Sequence, residues 1–248
     1  MRYFIELSYF GKAYHGWQNQ PNSISVQEVL EENLSKVLRS VMEVVGAGRT
    51  DAGVHAKQMF AHFDHNEVLD EALLMYKLNS MLPKDIAIAD IFKVKDDAHA
   101  RFDAISRSYE YHIVQEKDAF SKDLAWLLRP KVDIDKMNEA AAILKTYTNF
   151  KCFSRSRTDV KTYNCRIDRA EWKIENNQLV FHITADRFLR NMVRAIVGTL
   201  IEIGQNKYPV SQMHQIIGSE DRGEAGASVP AHGLYLTRII YPENLRLE

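Results

Sequence analysis

The chain has 248 residues, more than the roughly 100–150 of a common domain, so it forms one large domain or two compact halves. With 46% hydrophobic and 26% charged residues, 11 Gly and 6 Pro, the composition excludes wholesale disorder and collagen-like repeats. The 32 Lys and Arg against 33 Asp and Glu, a net charge of −1, argue against indiscriminate attraction of nucleic acid and leave only a local basic patch.

Residues 2–10 read as a strand, followed by the turn-rich GKAYHGWQNQPNS. Ser25 and Glu28 fit a capping box, and Val26, Val29, Leu30, Leu34, Val37, Leu38 and Val41 then recur at helical spacing. Residues 43–46 and 58–63 are extended and flank the loop GRTDAGVHA. A second helix spans 70–82, where Pro83 stops it, and IAIADIFKV supplies a further strand. Beyond it come a strand at 106–115, a helix at 134–147, a hairpin of 166–174 with 178–184 around Glu175-Asn176-Asn177, a strongly periodic helix at 187–203, a short helix at 210–217 and a last strand at 234–241. Each half reads β-α-β-β-α-β. The expected fold is therefore α+β, with two ferredoxin-like (RRM-like) halves, 1–104 and 105–248, whose antiparallel sheets meet at a central cleft. No residue-level repeat accompanies this order.

No apolar run approaches the ~20 residues needed to cross a bilayer, and the start, MRYFIELSYFGK, lacks the features of a signal peptide, which makes the cytoplasm the default location. Cys152 and Cys165 have no CxxC spacing and are expected to be reduced and structural. Residues 151–169 hold Lys151, Arg155, Arg157, Lys161, Arg166 and Arg169 against Asp159 and Asp168, the one basic patch.

Residues 46–56 carry three glycines in eight residues, a loop whose backbone can approach a ligand closely. Asp51 lies at its middle, two residues from the cation Arg49, and an ionised carboxylate there can act as nucleophile or base. Asp-Ala-Gly equally suits a turn in which the Asp side chain bonds its own backbone. On the 187–203 helix, Arg187, Arg190 and Arg194 fall at i, i+3 and i+7 beside a wide apolar arc, a stripe suited either to a polar chain or to the surface. Tyr109 shares a strand face with Tyr111, where it packs in the core or stacks on a nucleobase. His62 and His65 form an HxxH without a further ligand, which rejects a zinc site. The chain has no GKS, GKT or GxSxG, and so no phosphate-cradling loop or serine nucleophile elbow.

GRTDAGVHA, ARFDAISRSYEYHI, DRFLRNMVRAIVGTLIEIG and PAHGLYLTRI, with SVQEVLE and LNSMLPKDI, resemble in order the motifs of the tRNA pseudouridine synthase A family over nearly the whole chain. The resemblance implies a pseudouridine synthase fold around a basic cleft. It implies a cytoplasmic homodimer without cofactor or metal, and tRNA as partner, with uridines on the 3′ side of the anticodon stem-loop (positions 38–40) as the target. Asp51 falls on the family's catalytic aspartate, Tyr109 on its active-site tyrosine and Arg194 on the arginine that pairs with the aspartate. Arg49, Arg187, Arg190 and Lys161 are the expected RNA contacts. Where the family often shows Ala-Pro before the terminal Gly-Leu, this chain has Ser228-Val229-Pro230-Ala231-His232-Gly233. Two rivals remain: an RNA-binding protein of two RRM-like halves, which lacks an RNP1-type run here, and a small-molecule enzyme of the same fold, which would not bind tRNA.

Overall fold

A computed structural model describes residues 1–155 and 161–247. The protein is a mixed α+β chain that divides into two compact units, Met1–Ile105 with Leu236–Glu248, and Ser106–Tyr235.

In the first unit β1 (Arg2–Tyr9) lies between β3 (His55–Asp64) and β4 (Ile86–Val94), antiparallel to both, and β2 (Val45–Gly46) pairs with β3. Phe4, Ile5 and Leu7 of β1 have no exposed surface, because the central strand is covered on both edges and, at these alternating positions, on both faces. α1 (Val26–Leu38) starts at the expected capping box: the Ser25 hydroxyl accepts from the Glu28 amide at 3.1 Å, and the Glu28 carboxylate accepts from the Ser25 amide at 3.4 Å. The helix stops where Arg39 turns left-handed (φ 55°), which leaves Val41 off the apolar stripe and 92% exposed, against expectation. α2 (Glu71–Met81) is capped by the Asp70 carboxylate and ends at the extended Leu82, as the following proline requires. Most of β9 (Leu234–Ile240) belongs to this unit, where the Ile239 amide donates to the Gln58 side chain at 2.9 Å.

The second unit has the strand order β5 (Ser106–Val114), β8 (Gln178–Ala185), β7 (Ile167–Glu175). β7 and β8 are joined by Asn176 and Asn177 at φ 49° and 63°, the left-handed pair that a tight right-twisted hairpin demands. β6 (Trp126–Leu127), which the sequence did not announce, runs parallel to β5, so this sheet is mixed rather than purely antiparallel. α3 (Ile134–Leu144), α4 (Met192–Gly204) and α5 (Gln212–Ser219) complete it. The start of α4 departs from the expected 187. Asn191 adopts φ 66°, a left-handed conformation that asparagine tolerates, and the helix begins only after it. Arg187 and Arg190 therefore lie in the non-helical run 186–191, and the three-arginine helical stripe does not form. Both cysteines are free and buried, and burial pushes each thiol up to about 12.

Candidate active site

The Asp51 loop is built by two segments of the first unit that touch through backbone. A single helical turn, Gly11–Ala13, leads into the run 14–17, and the Trp17 amide donates to the Thr50 carbonyl at 3.2 Å. Gly16 sits at φ 92°, and a Cβ there would overlap the Thr50 carbonyl oxygen; a Cβ on Gly11 would overlap that of Val54. Only glycine permits both approaches. The Tyr9 hydroxyl bonds the Thr50 hydroxyl at 2.8 Å, the Gly11 amide donates to His55 Nδ1 at 2.9 Å, and the Phe10 and His55 rings stack at 4.5 Å. The Tyr14 hydroxyl donates to Asp85 at 2.6 Å and so ties the run to the start of β4; burial, with that carboxylate beside it, raises the phenol's pKa.

Within this brace, residues 51–54 form a turn that closes on backbone. The Val54 amide donates to the Asp51 carbonyl at 3.1 Å and the Gly53 amide to the Tyr14 carbonyl at 3.3 Å, with Gly53 at φ 79°. A self-bonded aspartate turn would use the Gly53 amide for the Asp51 carboxylate. Here that amide serves Tyr14, so closing the turn does not require the carboxylate. Asp51 is half-buried and Arg49 exposed, and a Cβ on Gly48 would meet open space. The bracing role of the run 11–17 went unread in the sequence; two glycines within GKAYHG were the available signal.

In the second unit Tyr109 is half-buried on β5, paired with Ile183 of β8, and its ring meets Phe188 edge-on at 5.1 Å. The Arg107 guanidinium donates to the Asp186 carbonyl at 2.9 Å. These two contacts bring β5 and the run holding Arg187 and Arg190 together. Arg194, on the first turns of α4, donates from Nε to the Val229 carbonyl at 2.7 Å. The basic patch is smaller than its sequence suggests. Lys151 lies 3.5 Å from Glu220, Arg166 2.9 Å from Asp168 and Arg169 2.6 Å from Glu171, while Arg157 and Asp159 lie outside the described residues. Lys161 is exposed, and the Arg155 amide donates to the Arg190 carbonyl at 3.1 Å, so the patch and the 186–191 run adjoin.

His62 acts as an acceptor in the core. Its Nδ1 takes the Ala100 amide at 3.1 Å, and burial, aided by the Arg2 cation, lowers its pKa to about 4. Among the described residues no group of three or more His, Cys, Asp or Glu is placed to hold a metal ion, and no helix is long and apolar enough to cross a membrane.

Residues 7–103 and 140–242 match the family described as tRNA pseudouridine synthase. Three relatives, each described as tRNA pseudouridine synthase A, are similar over almost their whole length. That of Porphyromonas gingivalis is 52% identical over 99% of both chains. That of Parabacteroides distasonis is 51% identical over 98% of this chain and 97% of its own. That of Syntrophomonas wolfei is 38% identical over 96% of each.

Proposed function

The chain belongs to the tRNA pseudouridine synthase A family and is an isomerase acting on tRNA, and from that premise we propose which of its residues carry the reaction. The conversion breaks the N1–C1′ bond of uridine, turns the base and joins C5 to C1′; the C5 proton is released and N1 gains one. It is an internal rearrangement without redox change, so side chains suffice and neither cofactor nor metal is required.

Asp51 is the essential carboxylate, attacking C1′, promoting a glycal or adding to C6. Its position carries this reading: a half-buried carboxylate in the middle of a glycine loop that backbone contacts hold in place. Tyr109 stacks on the detached uracil, and its hydroxyl assists removal of the C5 proton. Arg194 is the cation that serves the carboxylate. Arg49, Arg187, Arg190 and Lys161 contact the RNA, whose target uridine must first leave its stack. The substrate positions are the uridines on the 3′ side of the anticodon stem-loop, and the working form is a cytoplasmic homodimer. The two units are read as ferredoxin-like, supported by the orders β4-β1-β3 and β5-β8-β7 within them.

The test is release of tritium from tRNA labelled at uridine C5. Asp51→Asn should bind tRNA with affinity within about twofold of wild type and lose on the order of 10³-fold or more in release, because an amide supplies neither nucleophile nor base. Release within about tenfold of wild type overturns the assignment.

A further inference from the structure

Resting on the assignment of Arg194 above, we propose that residues 227–233 form a strap that orients the Arg194 guanidinium, and that Tyr111, which clamps the strap, is a positioning residue for the isomerisation.

The strap touches Arg194 twice: its Val229 carbonyl accepts Nε–H at 2.7 Å, and its Val229 amide donates to the Arg194 carbonyl at 3.3 Å. A guanidinium is a rigid planar fork, so a bond at Nε fixes the plane in which the other four N–H groups point. The strap itself is held at three places. At Ser228, the hydroxyl accepts from Asn191 Nδ2 and from Arg222 Nη2, the latter at 3.0 Å. At its N-terminal end the Gly226 amide donates to the buried Thr199 hydroxyl at 2.9 Å, and a Cβ on Gly198 of α4 would overlap the Ala227 carbonyl. At Pro230, the carbonyl next to Val229 accepts the Tyr111 hydroxyl at 2.8 Å.

Tyr111 has no exposed surface, so its hydroxyl needs a protein partner, and Pro230 supplies it. Burial raises the phenol's pKa well above its ordinary value, and the Arg194 cation nearby pulls in the opposite direction. The group is thus a permanent donor wherever the enzyme works. Two successive strap residues therefore carry the two halves of one device, Pro230 receiving the clamp and Val229 delivering the contact to Arg194. Ser228 brings a hydroxyl that two neighbouring side chains grip.

Tyr111→Phe removes the clamp's single oxygen and keeps the ring. Three quantities are read on the full chain: the single-turnover rate at saturating tRNA, the tRNA dissociation constant, and the Arg194 Nε–H resonance by nitrogen-15 NMR, assigned by its disappearance in Arg194→Lys. The expected result is a rate lower by about tenfold, a dissociation constant within about twofold of wild type, and an Nε–H that exchanges faster with solvent. A rate within about twofold of wild type overturns the proposal, as does a lower rate with an unmoved Nε–H signal, which marks a purely structural role. Ser228→Ala loosens the same strap at a second anchor and should shift rate and Nε–H in the same direction; it decides the matter if Tyr111→Phe fails to fold. Arg194→Met separates the two levels. If it turns over normally, the assignment of Arg194 fails; if it is slow while Tyr111→Phe and Ser228→Ala are normal, only the strap fails.

Discussion

The two segments that carry the proposed chemistry are held by different balances of the same means. The Asp51 loop is held by things that are absent: no Cβ at Gly16 or Gly11, so that two stretches of backbone meet. The strap against Arg194 also has such an approach, Ala227 against Gly198, and adds side-chain donors from Tyr111, Asn191, Arg222 and Arg194 aimed at its carbonyls and its one hydroxyl. Backbone against backbone has no rotamers to lose, whereas each side-chain clamp must be ordered before it holds. The first is therefore tested by adding atoms and the second, at its side-chain clamps, by removing them.

The largest effect should therefore follow from one added methyl group. Gly16→Ala places a side chain at φ 92° and drives it into the Thr50 carbonyl, one residue from Asp51. Strain and overpacking together should cost about 3 kcal/mol of stability, and a displaced carboxylate should lower tritium release on the order of 10²-fold. Urea unfolding and single-turnover assays measure the two. Gly48→Ala is the control, since its Cβ meets open space, and its stability should stay within about 0.5 kcal/mol of wild type. If the two alanines destabilise equally, the steric account of the brace is wrong.

A smaller effect distinguishes the units by pH. In the second unit the half-buried His112 lies 3.1 Å from Glu110 and the buried His182 3.0 Å from Glu175. His62 in the first unit instead accepts an amide and is held neutral down to about 4, against an ordinary value of 6.5. Its folded pKa is depressed, so as pH falls through 6.5 the unfolded chain takes up the proton first and stability drops. The loss continues until the folded form also titrates near 4, and it should total about 3 kcal/mol. His62→Asn keeps an acceptor for the Ala100 amide but cannot titrate. Between pH 6.5 and 4 its unfolding free energy should fall less steeply than that of wild type, and parallel curves would remove His62 from the account.

Local chemistry made much of this legible in the sequence. The Ser25 and Glu28 box starts α1 because both partners lie within one turn, Pro83 ends α2 through its own ring, and Asn176-Asn177 makes a hairpin by its own tolerance of left-handed backbone. What stayed hidden depends on single backbone dihedrals or on distant partners. Periodicity continues straight through Asn191, and nothing in it shows that φ turns positive there and strips Arg187 and Arg190 from the helix. Arg39 does the same to Val41. Lys151 reads as part of a basic patch until Glu220, far along the chain, is brought to 3.5 Å. Asp51 itself stood out by its glycines, yet its brace comes from residues 9–17, whose contacts to the loop run largely through backbone and so leave no pattern of side-chain types to read.

One substitution applied in both regions gives the sharpest and smallest test. Tyr9→Phe, like Tyr111→Phe, deletes a buried phenol oxygen: the Tyr9 hydroxyl meets the Thr50 hydroxyl at 2.8 Å, one residue from Asp51, and the Tyr111 hydroxyl meets the Pro230 carbonyl, one residue from the contact to Arg194. The chemistry removed is the same, so the stability loss should be similar, about 1 kcal/mol in each. The kinetic results should differ. Thr50 remains held through its carbonyl, which accepts from Trp17, and through the close approach of Gly16, so the loop keeps its place and turnover in Tyr9→Phe should stay within about twofold of wild type. Pro230 has no amide hydrogen with which to hold the strap another way, so in Tyr111→Phe the loss should reach the guanidinium. Equal stability losses with a rate defect only at Tyr111 would separate bracing by backbone from bracing by side chain. A rate defect in Tyr9→Phe as large as that in Tyr111→Phe would show that the Asp51 loop also depends on its side-chain bonds.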